Sequence, residues 1–376
     1  MFYGVMNHDY NFSEIVGHKR QIDFLKGLYS SDRMPSGLLF YGQNNIGKKF
    51  TAEVFAASVL CADYAAYFNP SSSAFSGSSL NFCGKCPSCA SISNGSNQNL
   101  FVAESFGNPI KIETVHQIGS FLAFTPPYPS RRFVIIDDAS VMNPSAANAL
   151  LKILEEPQGE TVFILITSNA GMLPPTVLSR CLPLGFAPVP DEILLNVFKL
   201  KFPDIDDVKL KLFLKLAGGS YSGFLNLVES GYLEKRDFLI NNVFEELFEE
   251  FRKKGNFYDI SGAFTAKFAF SEKIPKNVRN KEKNFEFEAK GGNPAFELIL
   301  FILRDIYIYS VSKNEKILYN EDVADKIKRF ASDFGASPKV IEHMMEITVS
   351  HIEKINSCNL NKSISADSYF SNLLSA

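Results

Sequence analysis

The chain has 376 residues, more than one hydrophobic core usually serves, so two or three domains are expected. Hydrophobic residues make up 46% and charged residues 21%, a balance that excludes disorder over most of the length. A net charge of -3 excludes a global basic field, so contact with nucleic acid must come from a local patch or from partner subunits.

No apolar run reaches about eighteen residues, and the opening MFYGVMNHDYNF lacks the basic and apolar regions of a signal peptide, which predicts a cytoplasmic protein without membrane contact. The first readable element is GLLFY, residues 37–41, an apolar run that stops at Gly42. A glycine-containing turn and an apolar-periodic stretch, residues 46–59, follow, which predicts strand, loop and helix. The loop, Gly42-Gln43-Asn44-Asn45-Ile46-Gly47-Lys48-Lys49, matches G-x-x-x-x-G-K-[ST] except at its last position. In a working loop of this kind backbone N–H groups cradle phosphates, the lysine reaches the β and γ phosphates, and the terminal hydroxyl binds Mg²⁺. Lys49 cannot ligate a metal. Its ammonium can hold a phosphate, but it repels the ion that phosphoryl transfer needs.

Six cysteines occur. Three stand in Cys83-Gly84-Lys85-Cys86-Pro87-Ser88-Cys89, Cys61 lies upstream at the end of the loop's helix, and Cys181 and Cys358 stand far away. A cytosolic chain uses such a cluster for metal, and four thiolates can close a tetrahedral structural zinc site; reduced thiols without a ligand are the alternative. Between Cys61 and Cys83 the stretch 69–81 is Ser-rich and low in complexity, which predicts a surface insertion.

The strand and helix alternation continues with FVAE (101–104) and IETVHQIGSFL, then RFVIID (132–137) and SAANALLKILEE, then TVFILITS (161–168). Short buried strands between helices indicate a parallel α/β sheet. Phe133-Val134-Ile135-Ile136-Asp137-Asp138 reads as a Walker B element, an apolar strand ending in two carboxylates, of which Asp137 would hold Mg²⁺ through its water shell; a strand ending in a solvated acidic turn is the plainer reading. After Pro190 strand-like runs give way to helical periodicity in DEILLNVFKLKF, VKLKLFLKLAGG and SGFLNLVESGYL, which predicts a small helical domain. Longer helical patterns begin near Lys235. They are interrupted by the charged segment 272–292, expected to be an exposed loop, and resume with AFELILFILRDIYIYS (295–310), apolar almost all round and therefore expected to be buried.

The stretch Asn148-Ala149-Leu150-Leu151-Lys152-Ile153-Leu154-Glu155-Glu156-Pro157 and the triplet Ser179-Arg180-Cys181 resemble the bacterial clamp-loader family. With the phosphate-loop position, the Walker B element and the cysteine cluster, the similarity spans roughly residues 10–230. The resemblance implies a P-loop AAA+ parallel-sheet domain over 1–186 with an inserted zinc module around 61–89, a helical lid over 187–235, and a C-terminal helical bundle over 236–376 that serves as an oligomerisation collar.

It also implies site roles. Arg180 serves as an arginine finger in trans, presented to the γ-phosphate of a neighbouring subunit, where a guanidinium stabilises developing charge. Cys61, Cys83, Cys86 and Cys89 form the zinc set, although the Ser-rich stretch makes the gap after Cys61 longer than is usual in the family. The chain's own nucleotide positions are Gly42, Asn45, Gly47, Lys48, Lys49, Asp137 and Asp138, and they depart from the family's pattern. Asn45 replaces the usual glycine, for which asparagine best preserves a left-handed backbone. Asp138 replaces the glutamate that orients water, and its shorter arm misplaces the base. Gly219-Ser220-Tyr221-Ser222-Gly223-Phe224 occupies the sensor 2 position without its arginine, with Ser220 readable as a helix cap. Sensor 1 falls near Thr167 and Ser168.

The expected protein is thus a subunit of the DNA polymerase III clamp loader that neither binds nor hydrolyses ATP productively, carries structural zinc, and works with gamma/tau-like ATPase subunits and a delta-like subunit. Sliding clamp and primed DNA are reached through the complex. Two alternatives are an ATP-hydrolysing gamma/tau-like motor, disfavoured by Lys49, and a zinc-dependent nucleic-acid binder, disfavoured by the absence of a strong basic cluster.

Overall fold

The computed structural model describes residues 10–61, 80, 82–105, 109–124, 131–247, 294–333, 338–358 and 368–373. Apart from Leu80, the Ser-rich stretch 69–81 lies outside these, as does the charged segment 272–292. The chain divides into two compact units, Met1–Leu200 with Gly218–Gly223, and Lys201–Ala217 with Phe224–Ala376. The dividing line runs through residues 187–235 rather than at their ends.

The first unit holds helix α1 (Lys19–Ser30), strand β1 (Gly37–Tyr41), α2 (Lys48–Val59), the short α3 (Pro87–Ser93), β2 (Leu100–Ala103), α4 (Ile112–Ala123) and β3 (Arg132–Ile136). After these come α5 (Pro144–Glu155), β4 (Thr161–Thr167), α6 (Pro175–Leu178), β5 (Leu182–Gly185) and most of α7 (Asp191–Lys201). The five strands form a parallel sheet in the order β2-β3-β4-β1-β5. Successive side chains along a strand point to opposite faces, and the two cores follow that alternation. Leu38, Phe40, Phe133, Ile135, Ile164 and Ile166 pack with α1 and α2 on one face. Leu39, Val134, Ile136, Phe163 and Leu165 pack with α4, α5 and α6 on the other. Strands buried on both faces read as continuous apolar runs, which is why β1, β3 and β4 are plain in the sequence. Strand β5, Leu-Pro-Leu-Gly, is short, half exposed and at the sheet's edge, where proline is tolerated; nothing in its pattern marks it as a strand.

The second unit is helical among its described residues. It contains α8 (Asp207–Ala217), the rest of α9 (Tyr221–Glu229), α10 (Tyr232–Phe238), α11 (Pro294–Ser312), α12 (Ala324–Asp333) and α13 (Pro338–Cys358). The all-apolar helix expected over 295–310 is α11. It buries Phe296, Ile299, Ile302, Leu303 and Ile306 and packs against α12 and α13. A buried polar network ties this unit together. Arg236 on α10 is bidentate to Asp322 at 2.9 and 2.6 Å, and the fully buried Asp305 accepts from the N–H groups of Tyr319 and Asn320 and from Asn320 Nδ2.

Candidate functional site

The phosphate-loop segment lies at the C-terminal end of β1, next to β4, the position at which open parallel sheets bind ligands. Gly42 has φ 146°, and a Cβ there would meet the Phe186 carbonyl oxygen at 2.2 Å, so only glycine fits. Asn45 has φ 61°, the left-handed conformation expected of it, and Gly47 opens α2 at φ 96°. The loop is held from three sides. His18 Nε2 donates to the Ile46 carbonyl at 2.6 Å, and its ring meets Phe186 edge-on. Burial lowers the pKa of His18, and Lys48 adds to that while the Ile46 carbonyl opposes it; because a carbonyl only accepts, Nε2 carries the proton in this bond. The carbonyl of Asn45 accepts from Ser220 Oγ and, at 2.9 Å, from Ser222 Oγ. Ser220 Oγ also caps α9 by accepting from Gly223 N–H at 2.9 Å, as the sequence suggests. Where the family's pattern puts an arginine aimed at nucleotide, this chain puts two hydroxyls on the loop's own backbone.

Lys48 is buried and donates to the carbonyls of Gly42, at 2.8 Å, and Gln43. Burial lowers its pKa, opposed by the charges of Asp137 and Asp138. Lys49 turns to carboxylates. It pairs with Glu104 and lies 3.9 Å from Glu53 Oε1. Burial works against its charge, but Glu53, Glu104 and Asp137 together hold its pKa above the usual lysine value. At the end of β3, Asp138 has φ 59° and accepts from Ser140 Oγ at 2.7 Å, so its carboxylate is turned into the following turn. Thr167, expected near the sensor 1 position, is buried; its hydroxyl donates to Asn169 O and accepts from Asn169 N–H, both at 3.1 Å.

The four expected metal ligands converge. The Sγ atoms of Cys61, Cys83, Cys86 and Cys89 lie within 4.8 Å of one another, with Cys83 and Cys89 3.7 Å apart. A tetrahedron with about 2.3 Å metal–sulfur bonds requires sulfurs about 3.8 Å apart, so the set fits a metal ion such as zinc with little adjustment. Backbone N–H groups of Cys86 and Cys89 point at Cys83 Sγ, 3.3 Å, and Cys86 Sγ, 3.4 Å, which is what thiolates need to offset their charge. Cys86 caps α3, and Ser88 Oγ donates to the Leu60 carbonyl at 2.6 Å, tying α3 to the end of α2. That tie brings Cys61 into the set despite its distance in sequence.

Arg180 follows α6 at the opposite end of the sheet. Gly37, the first residue of β1, allows this approach: a Cβ there would lie 2.8 Å from the Arg180 carbonyl oxygen and 3.0 Å from Cys181 Sγ. Between Gly37 and Gly42 runs the length of β1, about 16 Å. The guanidinium donates to Thr176 O at 2.8 Å and Ser179 Oγ at 3.4 Å and pairs with Glu155 at the end of α5. Its side chain is 35% exposed.

The structure therefore gathers the expected nucleotide positions at one end of the sheet, the cysteines behind α2, and Arg180 at the other end. Sequence reasoning missed His18, Glu53 and Glu104. Glu53 left a signal, a lone carboxylate inside the apolar helix FTAEVFAAS four residues after Lys49; Glu104 left another, closing the strand FVAE. His18 left none, because its partner is 28 residues away.

A parallel five-stranded sheet with a glycine-lysine loop after β1 and an acidic end on β3 has the architecture of the phosphate-loop α/β class. Residues 17–190 match the family model described as DNA polymerase III, delta subunit. A DNA polymerase III subunit delta' of Pseudomonas aeruginosa is 34% identical over 208 residues, covering 54% of this chain and 59% of the relative. Its counterpart from Bacillus subtilis is 26% identical over 310 residues, 82% of this chain and 83% of that one. The tau subunit of B. subtilis is 24% identical over 354 residues, 91% of this chain and 58% of the relative. The matched residues and these relatives support a place among the clamp-loader subunits of DNA polymerase III. The chain spans under two thirds of the length of the Pseudomonas delta' and Bacillus tau proteins, at 59% and 58%. No helix among the described residues is long and apolar enough to cross a membrane.

Proposed function

We propose that this chain is a delta'-like clamp-loader subunit that does not hydrolyse ATP and supplies Arg180 as an arginine finger to the nucleotide site of a neighbouring gamma/tau-like ATPase. The observation that carries the reading is the placement of Arg180. It stands a full strand length, about 16 Å, from the chain's own loop, farther than an arginine side chain reaches, and is partly exposed. A guanidinium so placed cannot serve the chain's own loop and is open to use in trans.

The loop's own chemistry agrees. Lys49 stands where a metal-binding hydroxyl is needed and is engaged with Glu104; Asp138 is short and turned into a local bond; Ser220 and Ser222 replace the sensor arginine by contacts to Asn45. The cysteine set would hold zinc, whose part is to close a scaffold behind α2 and not to do chemistry. Under the same reading residues 1–186, 187–235 and 236–376 act as AAA+ domain, lid and collar in the cytoplasm. The partners are gamma/tau-like and delta-like subunits, with the sliding clamp and primed DNA met through the complex.

The test is ATP turnover by the purified chain, by a gamma/tau-like partner alone, and by the two assembled. The expected result is none from the chain and a rise in the partner's rate on assembly. Turnover near one per second by the chain alone would sink the reading, since that is the ordinary range for such enzymes.

A further inference from the structure

We infer that the Lys49 ammonium is a tethered cation, seated among Glu53, Glu104 and Asp137 where a divalent metal ion would otherwise sit, so that this chain carries a metal site closed from within. The inference deepens the proposed loss of nucleotide turnover and rests on that reading only for its biological use.

Three carboxylates come together from three elements. Strands β2 and β3 are paired in register, Ala103 opposite Ile136, so the residues that follow them, Glu104 and Asp137, emerge side by side, with Asp137 N–H donating to Ala103 O at 2.9 Å. Glu53 faces them from α2, one helical turn beyond Lys49. Packed oxygen donors of this kind repel one another unless a cation lies between them. The Lys49 ammonium is that cation: it pairs with Glu104, lies 3.9 Å from Glu53 Oε1, and feels the field of Asp137.

A single positive charge does not satisfy the set. Glu53 is only 5% exposed, and its Oε1 has no hydrogen-bond partner among the described residues. A buried carboxylate oxygen without a donor is costly, and here it is directed at the cation position. Burial pushes the Glu53 carboxyl up to about 7, with Lys49 pulling it down and Glu104 and Asp137 pushing it further up, as expected of a group that one ammonium compensates incompletely. A lysine, with three donors and a flexible stem, fills a hard-cation position without needing nucleotide or metal to complete it. The result is a loop whose acidic side is permanently occupied by its own cation, and whose state does not change with Mg²⁺.

The experiment uses the full chain, zinc-loaded and free of nucleotide, with Mn²⁺ or Mg²⁺ alone as the probe. Electron paramagnetic resonance titration with Mn²⁺ should show no specific ion on the native chain and one per chain on Lys49→Met. Melting of Lys49→Met should fall below native and recover in millimolar Mg²⁺, whereas native protein and Lys49→Arg should not respond. Adding Glu53→Gln to Lys49→Met should restore melting without cation and weaken Mn²⁺ binding tenfold or more. If Lys49→Met does not fold, the double variant decides: soluble and cooperative without cation, it supports the inference; unfolded as well, it overturns it. Equal Mn²⁺ binding by native and Lys49→Met, or a Lys49→Met chain that melts like native and ignores cations, also overturns it. ATP turnover by the native chain would sink the proposed function and leave the Mn²⁺ titration to decide this point separately.

Discussion

The two ends of the sheet in the first unit treat charge in opposite ways. At the C-terminal end Lys48 and Lys49 are spent on the protein itself, one on the carbonyls of its own loop and the other on the buried Glu53 and the half-buried Glu104. At the N-terminal end Arg180 is partly exposed and held by an exposed glutamate and a helix-end carbonyl. Surface ion pairs are worth about 0–1 kcal/mol, so Arg180 can be given to another molecule at small cost. Separating Lys49 from its carboxylates would strand charges in a buried place, which costs far more. Exposure and burial of the pairing therefore separate the cation that is available from the ones that are not.

The largest effect expected from this contrast is at Arg180. In a reconstituted complex Arg180→Ala should lower the neighbour's turnover roughly 10³-fold, while the isolated variant melts within about 0.5 kcal/mol of native. Equal turnover, or a loss matched by unfolding, would break the contrast at its exposed end. The cysteine cluster asks whether the loop is held by its own contacts or by the far end of α2. Metal analysis should find one zinc per chain, and Cys86→Ser should abolish it and cost roughly 3 kcal/mol or more in urea unfolding. Chelation should reduce melting temperature before partner activation falls, and the reverse order would assign the metal a role at the interface.

A sharper test of the buried end is pH. Because burial raises the Glu53 carboxyl from its ordinary value to about 7, folding favours the protonated form. Stability from this group is present in full below about 4.5 and is lost as pH rises through about 7, up to roughly 3 kcal/mol. Glu53→Gln should flatten that part of the unfolding profile and be the more stable protein at pH 8. A native profile already flat from pH 5 to pH 8 (roughly the range the shift spans) would break it. The smallest effect belongs to Lys48→Ala. It should cost about 1 kcal/mol through the lost loop contacts and, under the proposed function, leave the neighbour's turnover unchanged, because the chain's own loop then contributes no hydrolysis. A large activity defect with Lys48→Ala and none with Arg180→Ala would favour the motor reading instead.

Much of the fold is legible in the chain because its signals are local. GLLFY, RFVII and TVFILIT are apolar runs of strand length, and only strands covered on both faces need that composition. Asn143-Pro144 starts α5 with a cap, Asn143 Oδ1 accepting from Ala146 N–H at 2.7 Å, and proline in the first turn. The loop residues Gly42, Asn45 and Gly47 are legible for the same reason, since each is required by its own backbone conformation. Strand β5 is not legible: four residues with a proline, half exposed, carry no period, and they become a strand only because β1 offers a free edge.

What the sequence by itself determined is the list of chemical groups and their local frames: a phosphate loop with lysine in place of a hydroxyl, two acids after an apolar strand, three closely spaced cysteines, and an arginine in a Ser-Arg-Cys turn. What only the tertiary structure decided is which groups neutralise which. Lys49 could have faced phosphate or carboxylate, and the register of β2 against β3 put Glu104 beside Asp137 to receive it. Ser220 reads as a helix cap, and the fold made it a tether for a carbonyl 175 residues away as well. Electrostatic partnership depends on distance and burial, which a chain acquires only when segments remote in sequence are packed together.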